Sequence, residues 1–169
     1  MSTVLVAGAG TGIGRAIAMK LSEQGHRLVL LGRTEKSLQE TAGVLKAVSA
    51  SHVVAVGDLR KSASVKEALT KNQDALNDLT AVVANAGIGG SNQYGANDRW
   101  HDIIETNLSG SYYLVNEALP YLRKSTAKQK NVVFVASILA RLGVPGYSAY
   151  CASKAGILGM MRSMASELA

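Results

Sequence analysis

Tyr150 and Lys154 stand four residues apart in Tyr-Cys-Ala-Ser-Lys, inside a stretch that reads as the start of a helix. Four residues make about one helical turn, so the phenol and the ammonium project from the same face. A phenol alone titrates near ~10 and is poorly matched to acid–base work at neutral pH. A cation about 4 Å away favours the phenolate by up to ~4 kcal/mol at an effective dielectric of ~20, before screening and desolvation. That brings a tyrosine towards a useful range. Taken alone, the pair is also what an ordinary helix surface carries, so its meaning depends on the elements around it.

Five short apolar runs read as strands, at 3–7, 27–31, 52–56, 80–84 and 131–136. Such nearly continuous runs are expected of parallel strands covered on both faces. Helical patterns separate them at 13–24, 35–48, 61–77 and 98–124. A last helix begins near Ser148 and carries Ile157, Met161, Met164 and Leu168 on one stripe. This alternation predicts a single domain over 1–169, a doubly wound (Rossmann-type) parallel α/β sheet with right-handed crossovers. The fifth run ends at Ser137, and side chains at a strand's C-terminal end face the ligand crevice of an open α/β sheet. The first run leads at once into Gly8-Ala-Gly-Thr-Gly12-Ile-Gly14 and a helical pattern. A tight strand-to-helix turn of this kind brings backbone close to a pyrophosphate at the helix N-terminus.

Composition narrows the function classes. The chain has 169 residues, 47% hydrophobic and 18% charged, which suits one globular domain with a sizeable core. The net charge of +6 is scattered, without the basic runs or basic–aromatic interleaving of a nucleic-acid binder. The single cysteine, Cys151, excludes an internal disulfide and fits a reducing cytoplasm. It points about 100° away from Tyr150 around the helix and reads as a small packing residue rather than a nucleophile. No segment reaches the ~18 apolar residues needed to cross a bilayer, and the N-terminus lacks a basic leader. His26, His52 and His101 show no metal-ligand spacing, so no metal is expected.

Further residues complete a pattern. Asp58-Leu59 follows the third strand run, Asn85-Ala86-Gly87 ends the fourth, and Asn107 lies in Asn-Leu-Ser-Gly within the apolar-periodic segment 103–122. With the glycine turn, and with Ser137 thirteen residues before Tyr150, these resemble the short-chain dehydrogenase/reductase family over essentially the whole chain. By that resemblance Asn107, Ser137, Tyr150 and Lys154 occupy the catalytic positions. The implied reaction moves a hydride between nicotinamide C4 and a carbonyl carbon, with Tyr150 as general acid in reduction and base in oxidation. Lys154 would stabilise the phenolate and bond the nicotinamide ribose, and Ser137 would hydrogen-bond the substrate oxygen. Asn107 would hold a water linking Lys154 to solvent.

The same resemblance assigns the cofactor residues. Gly8, Gly12 and Gly14 match the family's Gly-x3-Gly-x-Gly turn, with Thr11 and Ile13 inside it; Ala7 stands where the family often has threonine. Gly32 occupies the usual acidic position of NAD-binding members, and Arg33 follows. An arginine there pairs with a 2′-phosphate in bidentate fashion, so NADP is expected over NAD. Arg15 is either a second positive charge for that phosphate or plain helix surface. Asp58 and Leu59 resemble the adenine-binding pair, and Asn85, Ala86 and Gly87 fix the sheet and let backbone approach the cofactor.

The implied partners are a small carbonyl or secondary-alcohol substrate, with a 3-oxoacyl-carrier-protein reductase as one candidate type, and a second copy of the chain. Helices 98–124 and 148–169 would form the interface of a homodimer or homotetramer, with neither nucleic acid nor membrane involved. In the family a sixth strand, a substrate-covering segment and a seventh strand follow the last helix. The expectation is therefore a member truncated after the helix that follows the fifth strand. The alternative is a catalytically impaired relative that keeps only nucleotide binding or the fold.

Overall fold

Side chains alternate along the strands between two apolar layers. Leu5, Ala7, Val29 and Leu31 join one buried cluster with Val65, Leu69, Leu114 and Val115. Val4, Val6, Leu28 and Leu30 join a second with Ala18 and Leu38. The period of two thus fills both faces of the sheet, which is why the strands read as unbroken apolar runs. The computed structural model describes residues 2–47 and 51–168. In chain order the elements are β1 (Thr3–Ala7), α1 (Gly12–Glu23), β2 (Arg27–Gly32), α2 (Glu35–Gly43), β3 (Val53–Val56) and α3 (Ser62–Lys71). They continue with β4 (Leu79–Ala84), α4 (Trp100–Ile104), α5 (Gly110–Lys124), β5 (Asn131–Phe134) and α6 (Ser148–Leu168).

All strand pairs are parallel, in the order β3-β2-β1-β4-β5. The chain winds outward from β1 to β3, then returns to the other side of β1 for β4 and β5. Helices α1 and α2 cover one face, α3 and α5 the other. This is the doubly wound parallel sheet expected from the sequence. β1 lies at its centre with every residue buried. β5 is an edge strand that pairs with β4 alone, and its residues are exposed or half-buried in alternation.

Several boundaries move, each for a local reason. The helix expected over 35–48 ends at Gly43, a poor helix former, and position 48 lies outside the described residues. The pattern over 61–77 divides at Asn72, whose side chain donates back to Ala68 O at 2.8 Å while its backbone leaves the helical region. A 3₁₀ turn, Gln73–Leu76, follows. The segment 98–124 is not one helix: a π turn, Glu105–Ser109, separates α4 from α5. The fifth strand ends at Phe134 rather than 136, although Val135 N still donates to Ala84 O at 3.0 Å. Ser137 instead starts a 3₁₀ turn, Ile138–Ala140.

Candidate active site

A cleft of about 430 Å³ opens where the strands end. Gly8, Thr11, Gly12 and Ile13 line it from the first turn, Arg33 from the end of β2, Asp58 and Leu59 from beyond β3. Asn85, Ala86 and Gly87 line it from the end of β4, and Tyr150 and Lys154 from α6. Gly14, Arg15, Asn107 and Ser137 stand behind or beside this wall. The fold therefore brings the expected residues of five separate segments to one opening.

At the glycine turn the backbone comes too close for side chains. Gly8 has φ +70°, and a Cβ there would lie 2.8 Å from Ala86 Cα. A Cβ on Gly14 would overlap Gly8 O and reach 2.7 Å from Asn85 Nδ2. Asn85 Nδ2 in turn donates to Ala7 O at 3.3 Å, so the ends of β1 and β4 are stitched together. Thr11 precedes α1 in an extended conformation without a side-chain cap bond, which leaves first-turn amides for an anion. The cradle and these amides fit the pyrophosphate of a dinucleotide.

Arg15, which the sequence left as either a charge for the phosphate or helix surface, is engaged by protein groups. Its guanidinium donates to Gly10 O at 2.7 Å and Thr41 Oγ1 at 2.9 Å, and meets Glu40 at 3.4 Å. Thr41, fully buried on α2, has its hydroxyl 3.0 Å from Ala9 O. Arg15 and Thr41 thus hold the carbonyls of the glycine turn against α2. The guanidinium is a brace for the turn, and Arg33 is the arginine that lines the cleft.

Asp58 is gripped by a residue the sequence reading missed. Arg60 Nε lies 3.1 and 3.2 Å from the two carboxylate oxygens, Arg60 Nη2 lies 2.8 Å from Oδ2, and Arg60 N donates to Oδ1 at 3.1 Å. Hydrogen bonding to Arg60 holds the Asp58 carboxyl below its ordinary value, with Arg33 adding a smaller pull. The signal was present as Asp-x-Arg, a spacing that lets a side chain fold back on its own turn. Arg60 also reaches Asp102 on α4 at 3.5 Å.

At the opposite end, Tyr150 and Lys154 share a face of α6 as their spacing requires. Lys154 is only 5% exposed; its Nζ donates to Val135 O at 2.8 Å and lies 5.8 Å from the Tyr150 ring centroid. Burial pushes the Lys154 ammonium below its ordinary pKa. Asn107, fully buried in the π turn, accepts from Ile88 N at 2.8 Å and donates to Ile88 O and Ser153 Oγ. Ser153 Oγ donates onward to Tyr150 O at 2.8 Å. The Asn107 side chain is thus bonded to Ile88 and Ser153, and Ser153 is a second residue that the sequence reading missed. Ser137 Oγ accepts from Leu139 N at 3.2 Å, which leaves its own hydrogen to donate. Among the described residues no three His, Cys, Asp or Glu side chains cluster as metal ligands, and no helix is long and apolar enough to cross a membrane.

Residues 2–169 match a family model described as short chain dehydrogenase. The 3-oxoacyl-[acyl-carrier-protein] reductase FabG of Staphylococcus aureus is 30% identical over 171 residues, covering 99% of this chain and 68% of that protein. Carveol dehydrogenase from Mycobacterium avium in complex with NAD superposes with a TM-score of 0.89 at 28% identity, over 99% of this chain and 65% of that one. An alcohol dehydrogenase from the archaeon Thermococcus sibiricus, complexed with 5-hydroxy-NADP, gives 0.89 at 26% identity, over 99% and 71%. The chain spans about two thirds of the length of these relatives.

Burial of Lys154 has a pH signature. Its folded-state pKa lies below the ordinary 10.5, so in the window between the two the unfolded chain binds more protons. Stability then rises with pH across that window, and the full burial penalty applies below it. Lys154→Met keeps the stem and removes the charge. Urea unfolding of wild type relative to Lys154→Met is expected to show that alkaline rise and a flat difference at lower pH. A difference independent of pH up to 10.5 would refute it.

Proposed function

The chain belongs to the short-chain dehydrogenase family, an oxidoreductase family, and from that membership we propose an NADP-dependent reductase of carbonyl compounds or dehydrogenase of secondary alcohols. The observation that carries this reading is one cleft with the glycine turn and Arg33 at one end and Tyr150 with Lys154 at the other. The nicotinamide group supplies or takes the hydride when bound. The chain's own residues position it and move the proton. The glycine turn and the α1 amides receive the pyrophosphate, and Asp58 and Leu59 border the adenine. Tyr150 delivers a proton to the substrate oxygen in reduction, with Lys154 favouring the phenolate that remains. Ser137 donates to the same oxygen as charge develops on it.

The FabG relatives favour a 3-oxoacyl thioester on a carrier protein as substrate, within the broader class of ketones. Gly32 and Arg33 favour NADP: a glycine adds no carboxylate to repel a 2′-phosphate, and Arg33 lines the cleft there. Self-association as a homodimer or homotetramer is supported by α6. Beyond Ile157 it has no fully buried residue, and Met161, Met164 and Leu168 stay partly open. A second reading, nucleotide binding without turnover, is favoured by the unpaired outer edge of β5, the strand that leads to Ser137.

Three outcomes are expected. Nicotinamide fluorescence should report tighter binding of NADPH than NADH, with Arg33→Ala losing about tenfold or more for NADPH, the worth of a charge-assisted bond, and little for NADH. Equal affinities in wild type would remove the NADP assignment. NADPH oxidation over a broad ketone panel should be abolished by Tyr150→Phe; wild type that binds NADPH but never exceeds that variant would establish the second reading. Sedimentation should show a mass that rises with concentration above the monomer, and a concentration-independent monomer would refute the oligomer.

A further inference from the structure

Asn92 lies in the loop after β4, outside the glycine turn and the other site motifs, and is 5% exposed. Its side chain fills all four of its hydrogen-bonding positions. Oδ1 accepts from Ala149 N at 3.0 Å and from Ser148 Oγ at 3.2 Å. Nδ2 donates to Ser148 Oγ at 3.1 Å and to Asp98 Oδ1 at 3.3 Å. The Asn92 backbone adds a bond from its N–H to Gly146 O at 2.8 Å. A residue 57 positions away thus takes one of the orphan amides at the start of α6, a task normally done by a local cap.

We propose that Asn92 is a positioning residue for the proton-transfer step, fixing the first α6 turn so that Tyr150 is held from both sides. On one side its neighbour Ala149 is tied to Asn92. On the other the Tyr150 carbonyl accepts from Ser153, which accepts from Asn107. The two arms meet again through α4: Asp98 Oδ1 accepts from Trp100 N at 3.1 Å, and α4 runs directly into the π turn that carries Asn107. The circuit needs an amide at position 92. An aspartate there would still accept from Ala149 and Ser148 but would face the Asp98 carboxylate. Exchanging the two groups, Asn92→Asp with Asp98→Asn, restores a donor opposite an acceptor between 92 and 98. It gives up the Trp100 N bond, because one oxygen, Asp98 Oδ1, accepts from both Asn92 and Trp100.

The inference rests on the reductase reading for its kinetic arm but has a second arm that needs no turnover. Cys151 is the chain's single cysteine, partly buried, next to Tyr150, with its thiol 3.5 Å from Leu142 O. Its rate of reaction with 5,5′-dithiobis(2-nitrobenzoate) in the cofactor-free chain reports the first turn of α6. Asn92→Ala is expected to speed that labelling about fivefold or more, as loss of a helix cap does, and Asn92→Asp to speed it through repulsion from the Asp98 carboxylate. They should lower kcat for ketone reduction by about tenfold or more through misplacement of Tyr150, with KM for NADPH unchanged. The double variant Asn92→Asp/Asp98→Asn should return both towards wild type.

Labelling of Asn92→Ala at the wild-type rate would overturn the proposal. So would a rise in the KM for NADPH in step with the fall in kcat, which marks general loosening. Should Asn92→Ala fail to fold, a double variant as impaired as Asn92→Asp would overturn it equally. Absence of turnover in wild type would sink the reductase reading, while the labelling arm would still decide whether Asn92 holds the turn.

Discussion

The parallel pairing of β1 with β4 is the constraint on which the site depends. β1 leaves towards β2 and β3 on one side, and the chain comes back to lay β4 on its other side. Right-handed crossovers then send α1 to one face and α5 to the other, so the connections leaving the paired strand ends diverge and a crevice opens between them. The crevice is useful only because backbone meets backbone beneath it. Gly8 against Ala86, Gly14 against Gly8 O and Asn85 against Ala7 O close the floor. One methyl group at Gly14 would hold the two strand ends apart. The cradle for phosphate and the platform for the chemistry therefore share one junction.

The chemistry end rests on buried polar groups, which are costly unless each finds a partner. Lys154 gives up most of its hydration and keeps one short bond to Val135 O. That cost appears as its lowered pKa. On the proposed mechanism it would also serve the site, because a less hydrated ammonium interacts more strongly with a nearby phenolate than one in water. Asn107 occupies a π turn, where one extra residue in the helix re-aims a side chain without ending the helix. There it replaces a missing backbone partner for both Ile88 N and Ile88 O. No buried side-chain nitrogen or oxygen among the described residues lacks a partner.

What the sequence made legible follows from the range of the forces involved. The strands could be read because burial on both faces imposes an apolar residue at nearly every position, as in β1 and the centre of β2. The glycine turn and the Tyr150–Lys154 face could be read because their spacing is local. The π turn could not, because the bonds its Asn107 makes are to Ile88, nineteen positions away. Arg15 could be read either as a charge for a phosphate or as helix surface, and neither reading foretold its contacts with Thr41 and Glu40 on a different helix. Ser153 was hidden inside the very motif that gave Tyr150 and Lys154, since nothing in a four-residue spacing tells which intervening side chain braces the turn. Asn92 is the extreme case, since each of its side-chain partners other than Asp98 lies on α6.

The two ends of the cleft are supported unequally, and this bears on how binding and turnover relate. The phosphate end grows from β1 and β2, whose central residues are fully buried and paired on both sides. The chemistry end grows from β5, paired on one side only, and from α6, whose buried residues all lie in its first half. Local opening costs least where few apolar contacts must be lost, so α6 and the segment leading to Ser137 are the parts that open first. On the proposed reading, a dinucleotide gripped at the glycine turn would stabilise the better-supported half, with only its nicotinamide end reaching the other. The cross-ties to α6, from Lys154 to Val135, from Asn107 through Ser153, and from Asn92 to Ala149, compensate for the weaker edge. On that reading, affinity for cofactor would be set largely by the sheet's centre. The rate of proton transfer would be set by how well a few buried hydrogen bonds hold one turn of helix against an edge strand.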